Sequence, residues 1–230
     1  EIAGAEALVR WKKKDGSMVS PGEFIPLYEK DGLIVRLDEY VFNKVCEIQK
    51  TLMRSGKKLI PISVNLSRAS IHYENMILRY VHIVEENGIP FFAVPIELTE
   101  TAALYNVQIK ELTEKMVNAG FELHMDDFGS GYSNLHCISD MNPGYVKMDK
   151  DFTAKAMSCE RDYELFKKII EMVHSIGIRI CVEGIEKEDW HLKMKELQAD
   201  YLQGYFFGKP CEKKKFMEEF VCNPHNNGVW

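Results

Sequence analysis

No C-x-x-C pair occurs among the six cysteines (Cys46, Cys137, Cys159, Cys181, Cys211 and Cys222), and none clusters with histidine at zinc spacing. That excludes a zinc-finger module and a thioredoxin-type centre. It leaves reduced thiols in a cytosolic protein, with Cys46 and Cys181 in apolar stretches as core residues. The histidines (His72, His82, His124, His136, His174, His191 and His225) form no H-x-H or H-E-x-x-H pattern, so they read as surface or core side chains. No apolar run reaches the roughly 18 residues that a membrane span needs. No basic region followed by an apolar stretch marks a signal peptide. Positive charge is not in excess: the net charge is -6, which argues against non-specific nucleic-acid binding. A small anionic substrate remains open if metals supply the positive charge.

What is present is alternation. Over 230 residues, runs that read as strands (EALVRW, LIPISVNLS, AVPIELTE, FELHMDDF, GYVKMD, IRICVEG and ADYLQGYFF) are followed by helical patterns. In LDEYVFNKVCEIQKTLMRSG, Val41, Val45, Ile48 and Leu52 recur at helical spacing and Gly56 fits a stop. Right-handed crossovers then give a parallel sheet with helices outside, an α/β (β/α)8 TIM-like barrel. An open doubly wound sheet is the alternative. It would normally bring a glycine-rich phosphate loop after its first strand, and none is here. Residues 1–222 read as one domain and 223–230 as a turn-rich tail. The chain opens abruptly inside what reads as a strand, as expected for a segment of a longer chain.

The strand-like runs end on acids. Glu6, Asn65, Glu97, Asp126, Asp127, Lys147, Glu183 and Gln203 each sit at or just past such an end, and five of these are carboxylates. In a parallel barrel those ends share one rim, and carboxylates packed together repel unless cations lie between them. Asp126-Asp127-Phe128-Gly129 invites a kinase reading, but no glycine-rich loop, V-A-I-K strand or H-R-D loop accompanies it. One aspartate would suffice to cap a loop; two adjacent acids suit a pair of cations. Thr99 or Glu100 can cap the next helix, whereas Glu97, on the strand, fits metal ligation. The Asn65 amide is either a turn group or a neutral ligand. Lys147, a lone cation in an apolar strand, is either a structural ion pair or a group that holds an attacking water. His124 shares a face with Asp126 by strand alternation. Oxygen ligands without histidine or cysteine favour magnesium or manganese over zinc, and paired hard cations point to in-line displacement at phosphorus.

Taken together and in order, EALVRW, PGEFIP, VNLS, ELTE, DDFGSGYSNL, KMD, VEGIE and QGYFFGKP resemble the EAL family of cyclic-di-GMP phosphodiesterases, from Glu6 to Pro210. The resemblance implies a barrel with its site on the C-terminal rim, two divalent cations (Mg2+ or Mn2+), and hydrolysis of cyclic di-GMP to linear pGpG. By motif, Glu6, Asn65, Glu97 and Asp126 resemble the ligands of the first cation, and Asp126, Asp127 and Glu183 those of the second. Lys147 would position the attacking water. Glu183 would instead, or also, act as general base. Glu186 and Gln203 resemble substrate-positioning groups, and Arg10 resembles an arginine that meets a substrate phosphate; without the family it reads as a surface arginine. Glu100 resembles the anchor of the DDFG loop, which in this family helps order the metal site and a dimer contact.

Ser130 and Asn134 depart mildly from the family pattern. The family also begins with a further strand carrying a Y-Q-P motif, for which this chain starts too late. The resemblance implies a homodimer, regulatory domains fused in the parent chain, a cytoplasmic location, and no DNA or membrane contact by this domain. Two other roles stand beside the enzyme: a catalytically silent cyclic-di-GMP receptor and a dimerising signalling scaffold. A silent relative would be expected to lose a ligand or the lysine, and none is lost.

Overall fold

The computed structural model describes residues 2–104, 109–130 and 135–222. Its centre is a seven-stranded sheet in the order β1 (Ala5–Ala7), β4 (Ile62–Asn65), β5 (Ile96–Thr99), β6 (Leu123–Phe128), β7 (Tyr145–Met148), β8 (Arg179–Val182) and β9 (Tyr201–Leu202). The pairs β1–β4, β4–β5, β6–β7, β7–β8 and β8–β9 are parallel, and the Ile96 amide donates to the Glu122 carbonyl at 2.9 Å as β5 meets β6. Chain order equals sheet order. With helices between strands, this is the α/β architecture of a TIM-like barrel.

Contacts divide the chain into two compact units, one of residues 2–97 with 115–122, the other of 98–114 with 123 onward. In the first, the run EALVRW does not stay one strand. Only Ala5–Ala7 joins the sheet, while β2 (Trp11–Lys12) pairs antiparallel with β3 (Met18–Val19). The cause is the Asp15-Gly16 turn between them, with Gly16 in the left-handed region. PGEFIPLYEK forms a helix over Pro21–Lys30, with proline at its start, where a missing N–H costs nothing. The long helix Ile34–Arg54 begins before the periodic run and ends at Gly56, whose φ of +67° closes it. Its buried stripe holds Phe42, Val45, Cys46 and Leu52, with Val41 and Ile48 at its flanks.

In the second unit, helices Lys150–Ser158, Glu160–Ser175 and Glu188–Glu196 follow β7 and β8. Asp149 caps the first of these, accepting from the Asp151 and Phe152 amides at 3.0 and 3.1 Å. Phe166, Ile170 and Val173 bury one face of the second. Cys46 and Cys181 are buried, and burial pushes the Cys46 thiol up to about 12. Among the described residues, no helix is long and apolar enough to cross a membrane. The tail 223–230 lies outside the described residues.

Candidate metal centre

In the first unit, three adjacent strands deliver candidate oxygen ligands. Asn65 ends β4 opposite Glu97 of β5, and the Leu66 amide donates to the Glu97 carbonyl at 2.9 Å. The Asn65 amide donates from Nδ2 to Glu6 Oε1 at 2.8 Å, which leaves Oδ1 as its candidate ligand atom. Glu6 and Glu97 each bring a carboxylate oxygen within 4.8 Å of the other. Glu97 is 1 % exposed. Two carboxylate charges that close repel each other, and a cation between them offsets the repulsion.

In the second unit the charges are explicit. Lys147, inside β7 and 1 % exposed, places Nζ 3.1 Å from Asp126 Oδ1 and 2.8 Å from Glu183 Oε1. A buried ammonium needs such partners. Asp126 and Asp127 are adjacent on β6, where alternation would send them to opposite faces. The register shifts between Met125 and Phe128, and Asp127 adopts a φ of +58°. Such a bulge re-aims side chains and interrupts the alternation. Gly129 then turns with a φ of +93°, where an added Cβ would lie 2.5 Å from Phe152 Cδ1. The backbone passes that close to the ring only because glycine has no side chain.

Glu183 follows β8 and is half-buried; its amide donates to the Met148 carbonyl at 3.1 Å. Gln203 follows β9, with its amide on the Val182 carbonyl at 2.8 Å and its carbonyl on the Ile185 amide at 3.1 Å. These ladder bonds fix the positions of both residues at the strand ends. Within each unit the candidate donors, Glu6, Asn65 and Glu97 in the first and Asp126, Asp127 and Glu183 in the second, offer oxygen, the chemistry that suits a hard divalent cation.

Glu100 is buried at the start of the helix Glu100–Leu104, while Thr99 Oγ1 caps it by accepting from the Ala102 amide at 3.2 Å. Capping therefore falls to the threonine, and the glutamate faces inward near Cys137. That thiol is pushed up by burial and further by the Glu100 charge. Part of the loop that Glu100 is expected to anchor, residues 131–134, lies outside the described residues. Arg10 is exposed and donates to the carbonyl of its own neighbour, Val9, at 2.9 Å. Glu186 is also exposed.

Sequence reasoning passed over Asp38. It is buried on the long helix, and Oδ2 accepts from the Ser67 amide at 2.9 Å and from Ser70 Oγ at 2.6 Å. The signal was available, since Asp38 occupies a core position of the helical stripe. His124, expected beside Asp126, is buried and stacked on Tyr145 at 3.6 Å between ring centroids.

Comparison with known proteins places these features in a family. Residues 1–210 match the EAL domain family. The chain is 29% identical over 222 residues to the cyclic di-GMP phosphodiesterase NbdA of Pseudomonas aeruginosa, covering 96% of this chain and 28% of the relative. It is 31% identical over 210 residues to the biofilm architecture maintenance protein MbaA of Vibrio cholerae, covering 91% of this chain and 26% of the relative. It thus spans less than a third of those relatives' length. The solved structure described as "PaMucR Phosphodiesterase, c-di-GMP complex" superposes with a TM-score of 0.87 at 26% identity, covering 93% of this chain and 87% of that one. With a parallel sheet whose strands end on acids, and a family match over nearly its whole length, the chain belongs to the EAL domain family of cyclic-di-GMP phosphodiesterases.

Proposed function

We propose that this domain is a metal-dependent phosphodiesterase that hydrolyses cyclic di-GMP to linear pGpG and so lowers the level of that second messenger. The observation that carries the reading is the closeness of the Glu6 and Glu97 carboxylates, within 4.8 Å of each other at the ends of neighbouring strands, in a chain where every acid of the family's motifs is present. Glu6, Asn65, Glu97 and Asp126 would hold one divalent cation, and Asp126, Asp127 and Glu183 a second, as Mg2+ or Mn2+. When bound, two such cations neutralise the phosphodiester and stabilise the attacking and leaving oxygens of an in-line displacement.

The protein's own groups do the rest. Lys147 holds Asp126 and Glu183 through its ammonium and offers an N–H to orient the attacking water. Glu183 accepts the proton of that water at a carboxylate oxygen as general base. The phosphorus–oxygen bond to the 3′-oxygen breaks, and the linear dinucleotide carries the new phosphate oxygen. Arg10 would swing from the Val9 carbonyl to a substrate phosphate, which suits a guanidinium fork. Gln203 and Glu186 would position the substrate, and Glu100 would anchor the DDFG loop. Residues 1–222 act as one catalytic domain, in a cytoplasmic homodimer fused to regulatory domains.

The test is hydrolysis of cyclic di-GMP with and without Mg2+ or Mn2+, read as pGpG by chromatography. Metal-dependent product is expected. Tight binding of cyclic di-GMP without product, from folded protein at saturating metal, would overturn catalysis in favour of a receptor. Dimerisation with neither binding nor product would leave a scaffold.

A further inference from the structure

The geometry points to Asp38 as a positioning residue for the candidate ligand Asn65, an inference that rests on the metal reading proposed above. Strand β4 is gripped at both ends by one helix. At its entry, the fully buried Gln49 donates from Nε2 to the Ile60 carbonyl at 2.7 Å, and to the Ala93 carbonyl ahead of β5 at 2.7 Å. At its exit, Asp38, about three turns earlier on the same helix, accepts from the Ser67 amide at 2.9 Å and from Ser70 Oγ at 2.6 Å.

Ser67 in turn caps the short helix Arg68–Ile71 by accepting from the Ser70 amide at 3.3 Å. The segment that leaves Asn65 is therefore bound to a buried carboxylate two residues downstream. Between the two grips, Asn65 is open to solvent, and its amide reaches Glu6 at 2.8 Å. A side chain so exposed has little packing to fix it, so its placement depends on the backbone on either side.

Burial pushes the Asp38 carboxyl up, and the hydrogen bonds from Ser67 and Ser70 act against that rise. A lone buried carboxylate on a helix stripe would be costly if it only filled space. Here it acts as an acceptor where the backbone leaves the sheet. Groups that orient a metal ligand from behind commonly change metal affinity about 10–100-fold when removed.

The experiment compares wild-type protein with Asp38→Ala, Asp38→Asn and Val173→Ala. The last is a core truncation in the other unit, chosen for a comparable loss of Tm. Mn2+ binding is measured without substrate, from the electron paramagnetic resonance signal of the free ion, and kcat is then measured at saturating Mn2+. The Mn2+ Kd of Asp38→Ala should rise about tenfold, with a much smaller change in kcat. Asp38→Asn keeps an acceptor for Ser67 and Ser70 and should recover most of the affinity. Val173→Ala should leave Kd unchanged. Hydrogen exchange at the Ser67 amide should accelerate in Asp38→Ala alone.

A wild-type Kd in Asp38→Ala, or equal weakening in Val173→Ala, overturns the positioning role while leaving the metal reading intact. If Asp38→Ala does not fold, Asp38→Ser, too short to reach the Ser67 amide, decides: weakened Mn2+ binding supports the role, and wild-type binding overturns it. A wild-type protein that binds no Mn2+ overturns the metal reading first, and this inference with it.

Discussion

Tyr145 and Lys147 lie two positions apart on β7, and His124 and Asp126 lie two positions apart on β6. Alternation puts each pair on one face of the strand, so that face carries two layers of different chemistry. The layer nearer the strand starts is made of rings. His124 stacks on Tyr145 at 3.6 Å, and Tyr145 lies 5.3 Å from Tyr201. The Arg179 guanidinium lies over both tyrosines at 5.9 and 5.5 Å and donates to the Tyr201 hydroxyl at 2.6 Å. The layer nearer the strand ends is ionic, with Lys147 between Asp126 and Glu183. The first layer is held by ring packing. The second is held by charge, with the Lys147 ammonium paired to both acids.

Breaking the ionic layer should have the largest effect. Lys147→Met is expected to lose about 3–5 kcal/mol of stability in metal-free buffer, because two acids are left without their cation. Its turnover should fall by about 10²-fold or more. Urea denaturation with and without Mn2+ sharpens the comparison. The loss should shrink when the ion is present, and an undiminished loss would count against these acids sharing a cation.

The ring layer should respond differently. Tyr145→Ala is expected to cost about 2–4 kcal/mol by loss of packing and stacking, while Mn2+ affinity stays at the wild-type value. A large fall in metal affinity would join the two layers into one functional unit. Smallest of all, Arg179→Gln should cost about 0.5–1 kcal/mol, since the guanidinium is exposed. Hydrolysis by that variant, followed over time, should match wild type.

Much of this was legible in the chain. The strand ends that carry Glu97, Asp126 and Lys147 follow from apolar runs that stop on charge, and the helix stop at Gly56 follows from its spacing. EALVRW was misjudged as one strand because apolar alternation outweighed the Asp15-Gly16 turn signal a few residues later. Asp38 was hidden for the opposite reason. Its position on the helical stripe was readable, but its partners Ser67 and Ser70 lie about thirty residues away in sequence.

The sequence by itself determined the family, the alternation of strand and helix, and the kinds of ligand atom available, because these depend on local pattern and residue chemistry. Only the tertiary structure decided that Lys147 lies between Asp126 and Glu183, that Asp127 sits in a left-handed bulge, and that Gly129 passes under Phe152. The first and the last are meetings of residues brought together by separate strands and helices, and the bulge is a shift in the register between β6 and β7. Hydrogen-bond register and close packing set such distances, and no local pattern encodes them.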